Sequence, residues 1–178
     1  MSKTVTRSKL SDFVRDIPDY PKPGIVFKDI TPLLGNAQAF KQAVIGMAEP
    51  WLHSNIAYVF GIESRGFMFG AAMATYLGAG FVPVRKPHKL PAKIYEVEYA
   101  LEYGTDKLGV HQDAIPEGAK ILIVDDVLAT GGTMRATVEL AERLGAEVAG
   151  LSFLMELSFL KGREKLPQGF PIHKLLTY

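Results

Sequence analysis

Residues Ile121 to Thr133 read ILIVDDVLATGGT. Four aliphatic residues run unbroken into two adjacent carboxylates, Asp125 and Asp126. The glycine-rich Ala129-Thr130-Gly131-Gly132-Thr133 then opens a segment of helical periodicity, Thr133 to Leu144. A short continuous apolar run that ends in turn residues fits a strand covered on both faces, as parallel sheets require. Gly145 is a natural helix end, and Val148 to Leu157 supplies the next strand. Strand–helix–strand order predicts an α/β fold, a mostly parallel twisted sheet flanked by helices and joined by right-handed crossovers. Such sheets bind ligands beyond the carboxyl ends of their strands. Glycines there let backbone amides converge on one point, and a helix N-terminus adds partial positive charge. With the hydroxyls of Thr130 and Thr133, the loop makes a phosphate cradle built largely from neutral groups. It is neither a Walker loop nor a Gly-x-Gly-x-x-Gly dinucleotide turn. Carboxylates just ahead of a phosphate loop suit the two hydroxyls of a cis-diol.

Outward from this unit, the pattern repeats. Ile56 to Gly61 is a strand, Gly66 to Leu77 a helix rich in Ala, Met and Phe, and Phe81 to Arg85 a second strand. Asn36 is an N-cap, after which Phe40, Val44, Met47, Ala48 and Trp51 fall at helical spacing until Pro50 ends or kinks the helix. Ser8 to Arg15 reads as a short helix, and Ser11 to Pro32, broken by four Pro/Gly positions, as a loop. Lys86 to Leu108 holds Pro87, Pro91, Gly104 and many charges, with a hint of strand only at Ile94 to Leu101. It is expected to be a flexible lid with little apolar content to anchor it.

The chain has 178 residues, 48% hydrophobic and 22% charged, which fits one globular domain over 1–178 with a core of its own. Twenty basic against nineteen acidic residues give a net charge of +1, which argues against a protein that coats nucleic acid or anionic lipid. With no cysteine there is no disulfide framework, zinc knuckle or thiol nucleophile, in keeping with a cytoplasmic protein. Met1 to Ser11 carries Lys3, Arg7 and Lys9 without a following apolar stretch, so no secretory signal is expected there. No apolar run approaches a membrane span.

The Ile121–Thr133 segment resembles the signature of the phosphoribosyltransferases, which use phosphoribosyl pyrophosphate. PKPGIVFKDITPLL (Pro21 to Leu34), GIESRGFMFG (Gly61 to Gly70), VRKPHKLP (Val84 to Pro91), LEYGTDKL (Leu101 to Leu108) and LKGREKL (Leu160 to Leu166) narrow the likeness to the adenine phosphoribosyltransferases, over nearly the whole chain and in order. The resemblance implies a type I phosphoribosyltransferase fold with a small hood built from 1–35 and 157–178 and a flexible lid at 86–108. It implies transfer of ribose 5-phosphate to adenine, giving AMP and pyrophosphate with Mg2+, by a cytoplasmic homodimer of purine salvage. Two other readings stay open: transfer to xanthine or hypoxanthine, and a non-catalytic regulator that senses the donor. Leu151 to Leu160 is apolar around Met155 and Leu157 and has no lysine before Lys161, which favours adenine over a 6-oxopurine.

By the same resemblance, Asp125 and Asp126 anchor the ribose and help retain magnesium, which is expected mainly through the donor with no direct metal site on the protein. Ala129, Thr130, Gly131, Gly132 and Thr133 take the 5-phosphate. Glu63, Ser64, Arg65 and Gly66 form the pyrophosphate loop, whose Glu63–Ser64 peptide is cis in the family. Arg65, Arg85 and Lys89 hold pyrophosphate, with His88 incidental. Closing cations over the leaving group would neutralise its growing charge. Glu102 faces the purine imidazole ring and handles its proton. Phe27 stacks on adenine, the Val26 backbone reads its edge, and Lys28 and Leu157 complete the base site. Lys28 departs from the family, which often has arginine there, and a lysine lacks the planar fork.

Overall fold

The computed structural model describes residues 9–100 and 104–178. The chain falls into two compact units, 1–44 and 45–178. In the first, a 3-10 turn at Leu10–Phe13 stands where Ser8 to Arg15 was expected to be helical. The expected loop over Ser11 to Pro32 is instead an antiparallel hairpin of β1 (Arg15–Pro18) and β2 (Val26–Asp29), followed by the short helix α1 (Thr31–Gly35). These strands lack apolar alternation. Cross-strand ion pairs between Arg15 and Asp29 and between Lys28 and Asp16, each at 2.6 Å, join them, and the prolines sit at the strand end and in the turn. Helix α2 (Ala37–Ala48) spans the division. The Asn36 side chain accepts the amides of Gln38 and Ala39 at 3.1 and 3.0 Å, so the cap forms as its sequence implies. Pro50 lies in the 3-10 turn Glu49–Trp51 that closes the helix.

The second unit is built on a five-stranded, wholly parallel sheet. Its strands are β3 (Tyr58–Ile62), β4 (Gly80–Val84), β7 (Lys120–Leu128), β8 (Glu147–Glu156) and β9 (Ile172–Thr177), in the order β4-β3-β7-β8-β9. Helix α3 (Gly66–Leu77) connects β3 to β4 and α4 (Gly132–Arg143) connects β7 to β8. Ile121, Leu122, Ile123 and Val124 are all fully buried, as the central position of β7 demands. β7 runs past the expected end at Val124 because β8 stays paired with it as far as Leu128 and Glu156. Asp125 and Asp126 therefore belong to the strand itself. No helix among the described residues is long and apolar enough to cross a membrane.

Two expectations change. Residues 157–178 were assigned to the hood, yet Ile172–Thr177 is the edge strand of the main sheet, its one-sided partner β8 hidden from a reading of one segment. The lid segment is largely a ladder: β5 (Ile94–Ala100) pairs antiparallel with β6 (Thr105–His111), and Arg85 and Gly109 exchange backbone hydrogen bonds. Val97, Leu108 and Val110 are buried in the same apolar cluster as Phe60 and Ile123, so the segment does have an apolar anchor. Arg143 of α4 also donates to the Glu96 carbonyl at 2.9 Å. Charges on the outer face, such as Glu96 paired with Lys107 at 2.8 Å, mask the period-two pattern in the sequence.

Candidate active site

The carboxyl ends of β3, β4 and β7 meet at one cleft of about 370 Å³. Asp126 is only 4% exposed and its carboxylate lies 2.8 Å from the Arg65 guanidinium. Asp125 turns its Oδ1 to the Asp126 amide, 2.9 Å away. Burial, then the neighbouring Asp126 charge, pushes the Asp125 carboxyl well above its ordinary value; burial also raises Asp126, and Arg65 opposes it. Helix α3 starts directly against this strand end. A Cβ on Gly66 would lie 2.8 Å from Asp125 Oδ1 and 3.1 Å from the Val124 carbonyl, which explains glycine at that position.

The loop between β3 and α3 carries the Glu63–Ser64 peptide, which is cis. The nearly buried Glu63 carboxylate gathers two cations, Lys89 at 2.8 Å and Arg85 at 3.3 Å. Burial works against the Glu63 charge, but the Lys89 hydrogen bond, the Lys86 amide and the neighbouring cations together hold its carboxyl below the ordinary value. The Arg85 guanidinium also sits 5.6 Å from the centre of the Phe67 ring. Lys86 pairs with Asp106 of β6 at 3.0 Å, and Tyr99 of β5 completes that wall beside Thr133.

On the other side of Asp125 lies a smaller hollow of about 100 Å³, lined by Asp125, Ala129, Thr130, Gly131 and Thr133. It sits at the N-terminus of α4, whose first turn holds no acidic residue to occupy the unpaired amides. Gly131 caps this helix at φ +82°, a left-handed conformation that a β-carbon disfavours. A Cβ there would also meet the Gly162 carbonyl oxygen at 2.4 Å. The arrangement sets a neutral hollow at a helix N-terminus on one side of the carboxylate pair and a cluster of cations around Glu63 on the other. Two adjacent carboxylates also fit Mg2+, which keeps several waters and binds through one or two carboxylates plus substrate phosphates. Among the described residues there is no group of three or more His, Cys, Asp or Glu placed to cage a metal alone.

Comparison with known proteins agrees with this geometry. Residues 33–169 match the family profile of the phosphoribosyl transferase domain. The chain belongs to the phosphoribosyltransferase family. It is 54% identical over 175 residues to the adenine phosphoribosyltransferase of Acidobacterium capsulatum, covering 98% of this chain and 96% of that one. The crystal structure of the adenine phosphoribosyltransferase from Rhodothermus marinus matches with a TM-score of 0.90 and 50% identity, covering 95% of this chain and 96% of the other. The Saccharomyces cerevisiae adenine phosphoribosyltransferase, complexed with an imino-altritol bisphosphate and adenine, matches with a TM-score of 0.86 and 41% identity over 92% of this chain and 94% of that one.

Within this phosphoribosyltransferase, Glu63, Ser64, Arg65, Asp125, Asp126 and Thr133 line one cleft, while Ala129, Thr130 and Gly131 line the hollow beside it. Arg85 and Lys89 reach the same loop through Glu63, whereas His88 is exposed. Leu157 follows β8, its amide bonded to the Leu128 carbonyl at 2.9 Å. Glu102 lies outside the described residues. In the first unit, Val26, Phe27 and Lys28 are on strand β2 rather than in a loop. Phe27 meets Tyr20 edge-on at 5.3 Å, and Lys28 pairs with Asp16. Sequence reasoning missed Tyr99, the Lys86–Asp106 pair and the approach of Gly162 to the cradle. The last had a trace, because LKGREKL was singled out without a role.

Proposed function

We infer that the chain transfers the 5-phosphoribosyl group of phosphoribosyl pyrophosphate to adenine, giving AMP and diphosphate, a step of purine salvage. One observation carries the reading: two anion sites of different construction share a single carboxylate pair, as a donor with a phosphate at one end and a pyrophosphate at the other requires. The cradle Ala129–Thr133 takes the 5-phosphate, and Asp125 with Asp126 takes the ribose hydroxyls. Arg65, Arg85 and Lys89 take the pyrophosphate, which competes with Glu63 for the last two. The anomeric C–O bond to pyrophosphate breaks as the bond to the purine nitrogen forms, and that nitrogen loses its proton, with Glu102 proposed to handle it. Positive charge grows on the sugar and negative charge on the leaving group, so fixed carboxylates and cations placed beforehand supply most of the acceleration. Mg2+ arriving mainly with the donor would supply charge neutralisation, and Asp125 and Asp126 would help retain it.

For the base, the family resemblance implies contacts from Val26, Phe27 and Leu157. Lys28 is paired with Asp16 across the hairpin. Adenine as the base is supported by relatives that are adenine phosphoribosyltransferases, such as that of Acidobacterium capsulatum. We also propose that the protein is a cytoplasmic homodimer. The charge-free helix α3, with Met68 and Tyr76 exposed, offers it an apolar surface. The test offers purified protein, magnesium and donor with adenine, hypoxanthine, guanine or xanthine in turn. AMP is expected as the preferred product. A preference for another base overturns the assignment, and no nucleotide from any base favours a donor-sensing regulator.

A further inference from the structure

The LKGREKL segment has no place in the chemistry above, yet it touches the phosphate cradle. Residues Ser158–Leu160 and Gly162–Lys165 form two 3-10 turns, joined by Lys161 in a left-handed conformation at φ 53°. Gly162 is buried against the cradle: a Cβ on it would lie 2.1 Å from the Ala129 carbonyl oxygen and 3.0 Å from the Gly131 amide nitrogen. A Cβ on Gly131 would strike the Gly162 carbonyl in return. The two backbones are therefore in direct contact, with glycine on both sides of it. Closeness of this kind survives only if both segments are held in place.

The holding group is Glu156, the last residue of β8 and 8% exposed. It sits level with Leu128 of β7 on one side and Thr177 of β9 on the other, so its height is fixed by the main sheet. Arg163 grips both of its carboxylate oxygens, Nε at 3.2 Å and Nη2 at 2.9 Å, and Lys174 adds a third contact at 3.3 Å. A two-pronged guanidinium contact fixes angle as well as distance. On the far side of the turn, Leu166 is buried in the core cluster, so Gly162 is pinned from both directions.

We propose that Glu156 and Arg163 are positioning residues that hold Gly162 against Gly131 and so set the shape of the 5-phosphate cradle. This rests on the cradle taking the donor's phosphate end. Glu156 ends β8, whereas Glu63 follows β3 and Arg85 follows β4, so β7 with its two carboxylates lies between the pair and those residues in the sheet. Loosening the pair should therefore weaken one end of the donor and spare the other, which a general loss of fold would not do.

The experiment measures calorimetric affinities of ribose 5-phosphate and of magnesium pyrophosphate for the wild type and for Arg163→Lys, Arg163→Met and Glu156→Gln. Arg163→Met is expected to weaken ribose 5-phosphate about tenfold and leave pyrophosphate within about twofold. The KM for donor should rise while the KM for adenine stays put. Glu156→Gln keeps the shape of the side chain, and Arg163→Lys keeps the charge but loses the fork, so both should fall between the extremes. Unchanged ribose 5-phosphate affinity in all three variants overturns the proposal, as does an equal loss for both ligands. If the wild type itself fails to bind ribose 5-phosphate, the cradle reading falls first and takes this one with it.

Discussion

At the scale of single residues, Asp125 is where stability and chemistry pull apart. Burial and the Asp126 charge raise its carboxyl, so the folded chain binds that proton more tightly than the unfolded chain does. The stabilisation from this group is complete below the ordinary aspartate value of 3.8 and is lost as pH rises through the raised folded value. Asp125→Asn cannot charge, and it keeps an oxygen for the Asp126 amide. In EDTA at pH 8 the variant should melt above the wild type, and the difference should close as pH approaches 4. Turnover should meanwhile fall on the order of a hundredfold or more, since the charge beside a developing cation is gone. Scanning calorimetry across pH checks the first part, and equal melting at every pH would mean that charging the buried Asp125 costs the fold nothing. Gly131 shows what one residue in a sequence conceals. Its need for conformational freedom was legible from Thr-Gly-Gly-Thr, but the closeness of Gly162, 31 positions on, was not. A bulky side chain there would disturb the fold as well as the binding of phosphate.

At the scale of elements, legibility followed the source of stability. β7 and α4 were readable because their apolar pattern is local and nearly continuous. The β1–β2 and β5–β6 pairings were not, apart from the hint of strand at Ile94 to Leu101 that β5 matches, because ion pairs between distant positions and a few buried residues such as Val97 and Leu108 hold them. The β5–β6 ladder also narrows where a protease can enter. Lys107 is inside β6 and paired with Glu96, while Lys93 is exposed just ahead of β5, and Lys89 sits in a turn tied to Glu63. Trypsin should cut after Lys93 or Lys89 well before it cuts after Lys107. Magnesium with donor should slow the early cut strongly, the result expected if pyrophosphate takes the place of Glu63 as the partner of Lys89 and draws the segment over the cleft. Mass spectrometry of timed digests reads the order. Equal rates with and without ligand would strip Arg85 and Lys89 of their role as closing cations.

At the scale of the whole molecule, a net charge of +1 leaves little long-range repulsion to keep two copies of the chain apart. Whether they associate then depends on local surface, and α3 stands out. Its twelve residues, GFMFGAAMATYL, contain no charge at all, and Met68 and Tyr76 remain 38% and 44% exposed. A surface helix normally carries a polar outer face, so an apolar one calls for a partner. The same helix begins at Gly66, against Asp125, so a partner resting on it would steady the pyrophosphate loop as well. The wild type should sediment as a dimer at micromolar concentration. A Met68→Lys, Tyr76→Lys double variant would place four cations at a two-fold contact, because symmetry repeats each substitution. It should sediment as a monomer and lose most of its activity while keeping its secondary structure by circular dichroism. A wild type that sediments as a monomer would end the dimer proposal. A variant that stays dimeric would move the contact away from α3.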